Sequence, residues 1–159
     1  MRLWSSASVA AAAASSTYVM TAPVHLRILV VDDDPLIIRS LRVTLESDGH
    51  SVTTAHGGQE GIDLWHAAEE RQDPFAVVIT DLGMPNVGGR TVAAAVKAIR
   101  PATPVIMLTG WGQRMEAEQD LPNQVDRVLN KPPKLHELRS ALRELVVSVK
   151  PRTAAAGAE

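Results

Sequence analysis

Five short runs of aliphatic and β-branched residues, at 27–32, 51–55, 76–80, 104–108 and 125–130, alternate along this chain with segments of helical periodicity. Few folds accept such a pattern. A strand that is apolar at every position must be covered on both faces, and a helix between successive strands both supplies the cover and makes the strands parallel. The stretches "ILVV", "AVVI" and "VIML" are of this kind and read as central strands, whereas "SVTTA" and "VDRVLN" are mixed and read as edges. Placing strands 1, 3 and 4 inside and strands 2 and 5 outside is satisfied by the order 2-1-3-4-5. The expected fold class is therefore α/β, a doubly wound five-stranded parallel sheet, with strands 1 and 3 adjacent at the switch point where such sheets bind ligands.

The helical segments carry their own punctuation. Asp34 is a natural N-cap, Pro35 suits the first helical position, Ile38, Leu41 and Leu45 mark one face, and Gly49 lies just past the end. Ile62 and Trp65 mark a second helix, Val92, Val96 and Ile99 a third, and Leu135, Leu138, Leu142 and Leu145 the last. A fourth segment, around 112–120, is polar and poorly patterned and is expected to be short or mobile.

Composition narrows the function. The 159 residues carry a formal net charge of -2, so no basic surplus marks a nucleic-acid surface. The absence of cysteine excludes disulfides, zinc–thiolate centres and thiol nucleophiles. No apolar run approaches the ~20 residues that span a bilayer. The expectation is a cytoplasmic protein with neither a nucleic-acid nor a membrane partner. Residues 1–24, with the Ala/Ser-rich "ASVAAAAASSTYVM", read as a disordered leader rather than a secretory signal, since only Arg2 is positive; a start at Met20 is the alternative. Residues 150–159 read as a disordered tail, which leaves 26–149 as the folded unit.

The residues at the carboxyl ends of the strands form a pattern of their own. Strand 1 ends in Asp32 and Asp33, strand 3 in Asp81, strand 4 in Thr109, and strand 5 leads into Lys131. A parallel sheet brings all of them to one rim. Two carboxylates 4 Å apart repel by about 4 kcal/mol at an effective dielectric of ~20. A proton relieves this by raising one pKa. A hard divalent cation such as Mg²⁺ relieves it too. A carboxylate beside a cation, a lysine and a hydroxyl is suited to attack an electrophilic phosphorus and form an acyl phosphate.

The stretches "VVDDDP", "ITDLGMP", "MLTG" and "NKPP", in that order and each at a strand end, resemble the response-regulator receiver domain of two-component signalling, in its stand-alone, chemotaxis-regulator-like form. The resemblance covers about 26–149 and implies a flavodoxin-like fold. It implies that Asp81 is the phosphoacceptor, Asp33 a direct Mg²⁺ ligand, Asp32 a ligand acting partly through water, and the Gly83 carbonyl a further ligand. It also implies that Thr109 bonds a phosphoryl oxygen and shifts, that Lys131 pairs with the phosphoryl group, and that the Lys131–Pro132 bond is cis. Asp34 is not carried over as a ligand and stays a helix cap.

The family's pattern is not followed everywhere. Receivers usually carry Tyr or Phe three residues before the lysine as a rotating switch; here the residue is Val128. "NVGG" stands where many relatives read Met-Asp-Gly after the proline, and Trp111 is an unusual bulk two residues after Thr109. Trp111 either contacts a partner or packs on the sheet edge. With no aromatic at 128, the Trp111 loop and the segment after it are expected to carry the phosphorylation signal.

The implied function is a switch. A sensor histidine kinase or phosphotransfer protein donates a phosphoryl group to Asp81, and output passes to a downstream protein by contact or by onward phosphorelay. No turnover of a separate substrate is expected. Two other classes compete. A Mg²⁺-dependent phosphohydrolase would need the second Asp of a nucleophilic Asp-x-Asp pair, but Leu82-Gly83 follows Asp81. A phosphorylation-independent scaffold would have no use for the intact acids, threonine and lysine. His25, His50, His56, His66 and His136 show no ligand spacing and read as structural or solvated, and Gly57-Gly58 reads as a turn rather than a phosphate loop.

Overall fold

The computed structural model describes residues 24–110 and 124–148. Its strands are β1 (Arg27–Val31), β2 (Ser51–Ala55), β3 (Val77–Asp81), β4 (Val105–Thr109) and β5 (Arg127–Asn130). Its described helices are α1 (Pro35–Ser47), α2 (Gly58–Glu70), α3 (Gly89–Ile99) and α4 (Leu135–Ser148). The sheet is parallel throughout, in the order β2-β1-β3-β4-β5. The segment expected around 112–120, and Trp111 before it, lie outside the described residues.

Alternation along each central strand sends side chains to two separate cores. Ile28, Val30, Ile79, Ile106 and Leu108 face Leu41 and Leu45 of α1 and Leu138 and Leu142 of α4. Leu29, Val31, Val78 and Val105 face Trp65 of α2 and Val92 and Val96 of α3. Fully buried side chains of this size contribute about 1.5–3 kcal/mol each. β1, β3 and β4 thus have apolar cover on both sides, which is why their sequences show no polar alternation. Two expected core positions lie at the surface: Ile99 is 46% and Leu135 42% exposed. Each is a terminal residue of its helix, where the axis has run past the sheet. The buried stripes instead include Ala93 and Ala141, which let the helices approach closely.

Local chemistry sets the helix ends. Asp34 caps α1 by accepting from the Leu36 N–H at 2.9 Å. At its other end Gly49, at φ 93°, lets its own N–H bond Glu46 O and the His50 N–H bond Leu45 O. α2 ends in the same way, with Gln72 and Asp73 donating to Glu69 O and Ala68 O, but the left-handed position is Gln72 at φ 58°. A side chain there is strained. Gln72→Gly is expected to stabilise the fold by about 0.5–1 kcal/mol; an unchanged urea midpoint would show that Gln72 bears no such strain.

The start of β1 is tied to the loop after α1 by two histidines. Leu26 N–H donates to His50 Nδ1 at 3.2 Å, and His25 donates from Nδ1 to Gly49 O at 2.5 Å while its Nε2 shares a hydrogen bond with the Ser51 hydroxyl. As an acceptor His50 must be neutral. Burial lowers its pKa and the neighbouring His25 adds to this, against the opposing charge of Asp48. A depressed histidine pKa contributes stability that is present above the unfolded value of about 6.5 and lost as pH falls through the folded value. Unfolding free energy should therefore drop on acidification from pH 7.5 to 5.5, with a shallower slope in His50→Gln, whose amide oxygen keeps the acceptor; identical slopes would remove His50 as the cause.

Candidate functional site

The rim beyond the carboxyl ends of the strands gathers the expected residues. Asp81 is the last residue of β3 and Thr109 the last of β4, while Asp32 and Lys131 come directly after β1 and β5. Asp32, Asp81 and Thr109 are buried and Asp33 is exposed. Carboxylate oxygens of Asp32, Asp33 and Asp81 lie within 4.8 Å of one another. Lys131 Nζ bridges two of these acids, at 3.0 Å from Asp32 Oδ1 and 3.1 Å from Asp81 Oδ2. Asp32 Oδ1 also accepts the Asp34 N–H at 2.8 Å, which fixes the turn out of β1 while Asp34 itself turns to cap α1. Gly83 joins the cluster through its N–H, which bonds the Asp81 carboxylate. The Lys131–Pro132 bond is cis.

Charge is poorly balanced here. Burial pushes both Asp32 and Asp81 above the usual carboxylate range, with Asp33 adding to the effect on Asp32 and Asp32 to that on Asp81. Lys131 and the backbone donors only partly offset this. Burial works against the Lys131 ammonium as well, but its bonds to Asp32 and Asp81 outweigh that and raise its pKa. One ammonium faces three acids. Asp32 Oδ2 and Thr109 Oγ1 are buried without a hydrogen-bond partner among the described residues. An all-oxygen donor set with an unsatisfied buried carboxylate oxygen fits a hard divalent cation.

The phosphoacceptor candidate is also gripped from behind. Gly89, the first residue of α3, donates its N–H to Leu82 O at 3.0 Å, and a Cβ built there would lie 2.2 Å from the Asp81 carbonyl oxygen. Only glycine allows α3 to start this close. The doublet Gly88-Gly89 in "NVGG" was the signal, but nothing in the sequence says which backbone it meets. Asn130 was also missed. It is the register partner of Thr109 on β5, and its side-chain Oδ1 is buried without a partner among the described residues. Val128, two residues earlier, pairs with Met107 and is half-buried.

A doubly wound parallel sheet carries acids, a hydroxyl and a lysine on one rim, and comparison with known proteins places this fold in a signalling family. Residues 28–143 match the family model described as the response regulator receiver domain. The response regulator MprA of Mycobacterium bovis is 35% identical over 130 residues, which are 82% of this chain and 54% of that protein. The transcriptional regulatory protein GlrR of Escherichia coli is 34% identical over 131 residues, 82% of this chain but 28% of that protein. A solved response regulator receiver domain protein from Clostridium thermocellum superposes with a TM-score of 0.70 at 32% identity, covering 77% of this chain and 95% of that one. The chain belongs to the response-regulator receiver family. It spans about half the length of MprA and less of GlrR, so what those whole proteins do is not carried over. No described helix is long and apolar enough to cross a membrane.

Proposed function

We propose that residues 26–149 act as a phosphorylation switch in which Asp81 accepts a phosphoryl group from the phosphohistidine of a sensor histidine kinase or phosphotransfer protein. A carboxylate oxygen of Asp81 forms the new bond to phosphorus, the bond to the histidine nitrogen breaks, and that nitrogen keeps the electron pair. The observation that carries this reading is the buried Asp81 held within one ammonium's reach of Asp32, with the Thr109 hydroxyl unpartnered among the described residues at the next strand end. Lys131, already at Asp81, is free to follow charge onto a phosphoryl oxygen. The Thr109 hydroxyl is a donor for another. Asp32, Asp33, Asp81 and the Gly83 carbonyl would hold Mg²⁺, which supplies positive charge against the transferred group. Output goes by protein contact or onward phosphorelay, and a cytoplasmic location fits a soluble kinase domain as donor. No nucleic-acid contact is proposed for residues 26–149; transcriptional control belongs by name to GlrR, a longer chain.

Labelling with acetyl phosphate tests this. One phosphoryl group per chain, dependent on Mg²⁺ and without catalytic release of phosphate beyond decay of that label, is the expected result. Continuous turnover would support the phosphohydrolase reading, and no labelling the scaffold reading.

The metal has its own test. Because buried acids repel, Mg²⁺ should raise the melting temperature by mass action, with a gain of about 2.7 kcal/mol at a hundredfold excess over Kd. Asp33→Ala should remove most of that gain, since Asp33 is the exposed acid that Lys131 leaves unbridged. A Mg²⁺-independent melting temperature in the unaltered protein would dismiss the cation.

A further inference from the structure

We infer that the side-chain carbonyl of Asn130 is the resting partner of the Thr109 hydroxyl, a polar latch that opens when Thr109 turns to a phosphoryl oxygen on Asp81. The inference rests on Asp81 being the phosphoacceptor.

Thr109 and Asn130 are Cα partners in the β4–β5 register, so their side chains leave the sheet on the same face, one strand spacing apart. The backbone locks them in step, because Lys131 N–H donates to Thr109 O at 2.9 Å. Thr109 Oγ1 and Asn130 Oδ1 are two of only four buried side-chain polar atoms without a partner among the described residues. They are chemically complementary: the hydroxyl has one proton to give and can rotate it, and the amide oxygen can only accept. Buried polar atoms rarely stay unpaired. A hydrogen bond between them would satisfy both at once.

The same proton cannot serve two acceptors. When Thr109 donates to a phosphoryl oxygen, Asn130 Oδ1 loses its partner and must find another, which moves the residue next to Lys131. Met107 and Val128, one step back on the same face, offer only apolar contacts. The Thr109–Asn130 pair is thus a polar element able to exist in two arrangements. Asn130 is a positioning residue in this scheme, acting on the site through Thr109.

Beryllofluoride with Mg²⁺ is the probe, standing in for the phosphoryl group. In the unaltered protein, NMR should show contacts between Thr109 and the Asn130 side-chain amide that are lost when beryllofluoride is added. Asn130→Val should bind beryllofluoride roughly threefold to tenfold more tightly, since one hydrogen bond no longer opposes the turn, and its Thr109 methyl signal should already be shifted toward the bound position. Asn130→Ser, which keeps an acceptor, should lie nearer the unaltered protein. In a Thr109→Val background the gain from Asn130→Val should vanish. The same gain with and without Thr109 would overturn the latch, as would unchanged Thr109–Asn130 contacts in the unaltered protein, a readout that needs no variant to fold. Failure of the unaltered protein to bind beryllofluoride would instead overturn the phosphoacceptor reading, and the latch with it.

Discussion

Asp81→Asn should abolish hydroxylamine-sensitive labelling and, in metal-free buffer, raise the melting temperature. The first effect follows from chemistry: an amide oxygen is not a comparable nucleophile, and Asp81 is the acid proposed to take the phosphoryl group. Labelling should fall at least about a hundredfold, to background. The second follows from electrostatics. Asp81 is buried beside Asp32, and both effects push its carboxyl upward. An acid with a raised folded pKa contributes stability that is present below its unfolded pKa of about 3.9 and lost as pH rises through the folded value. Above the unfolded value the buried acid is therefore a burden that Asn, of the same shape, removes, while Lys131 retains Asp32 as its partner. Each kcal/mol relieved should appear as roughly 3–6 °C. The gain should disappear when both proteins are melted near pH 3. A variant that labels normally would place the acceptor elsewhere, and one that melts lower at pH 7 would show that the Lys131 bond outweighs burial.

Gly89→Ala should be nearly as damaging, although the residue has no side chain to lose. The added methyl would meet the Asp81 carbonyl oxygen at 2.2 Å and the Leu82 Cα at 3.0 Å, both backbone atoms with no rotamer to yield. Either α3 moves out, opening the core around Val92 and Val96, or the β3 end moves and takes the Asp81 carboxylate with it. The first costs about 1–3 kcal/mol of stability as overpacking does. The second misplaces a nucleophile, and an ångström is worth about a hundredfold in rate. Gly57→Ser is the control: Gly57 has nothing within 4 Å and stands at the N-cap of α2 with no side chain to cap it. It should be neutral or stabilising by a few tenths of a kcal/mol. Equal losses in the two variants would mean that the close approach at Gly89 is not the reason for its glycine.

The sheet order and the rim residues were legible because each rests on a one-dimensional signal. Full burial removes polar alternation, so Val77–Ile79 and Val105–Leu108 declare themselves central; parallel pairing then carries Asp81, Thr109 and Lys131 to one end whatever the loops do. Ile99 and Leu135 misled because periodicity marks a helix face without saying where the sheet beneath it stops. Asn130 and Gly89 were invisible for a different reason. Their importance lies in a single through-space approach, to Thr109 and to the Asp81 carbonyl, and no periodicity encodes a distance between residues on different elements. Lys131 was legible as a rim cation, but its bridge between Asp32 and Asp81 follows from how β5 docks and not from "NKPP".

Lys131 and Asp32 are separated by 99 residues, and Lys131 and Asp81 by 50. The acids are placed by β1 and β3, but the only ammonium that reaches them among the described residues arrives on the far edge of the sheet, after β4. A chain elongating from its amino end must therefore carry its acid cluster uncompensated until nearly all of the fold has been made. Loop closure of that length is slow to be rewarded. Assembly of the charged rim is thus a late event that certifies the whole sheet: a partly folded chain, or one ending before β5, holds the nucleophile without its counter-ion. Under the proposed function, competence to take up a phosphoryl group would become a property of the finished domain.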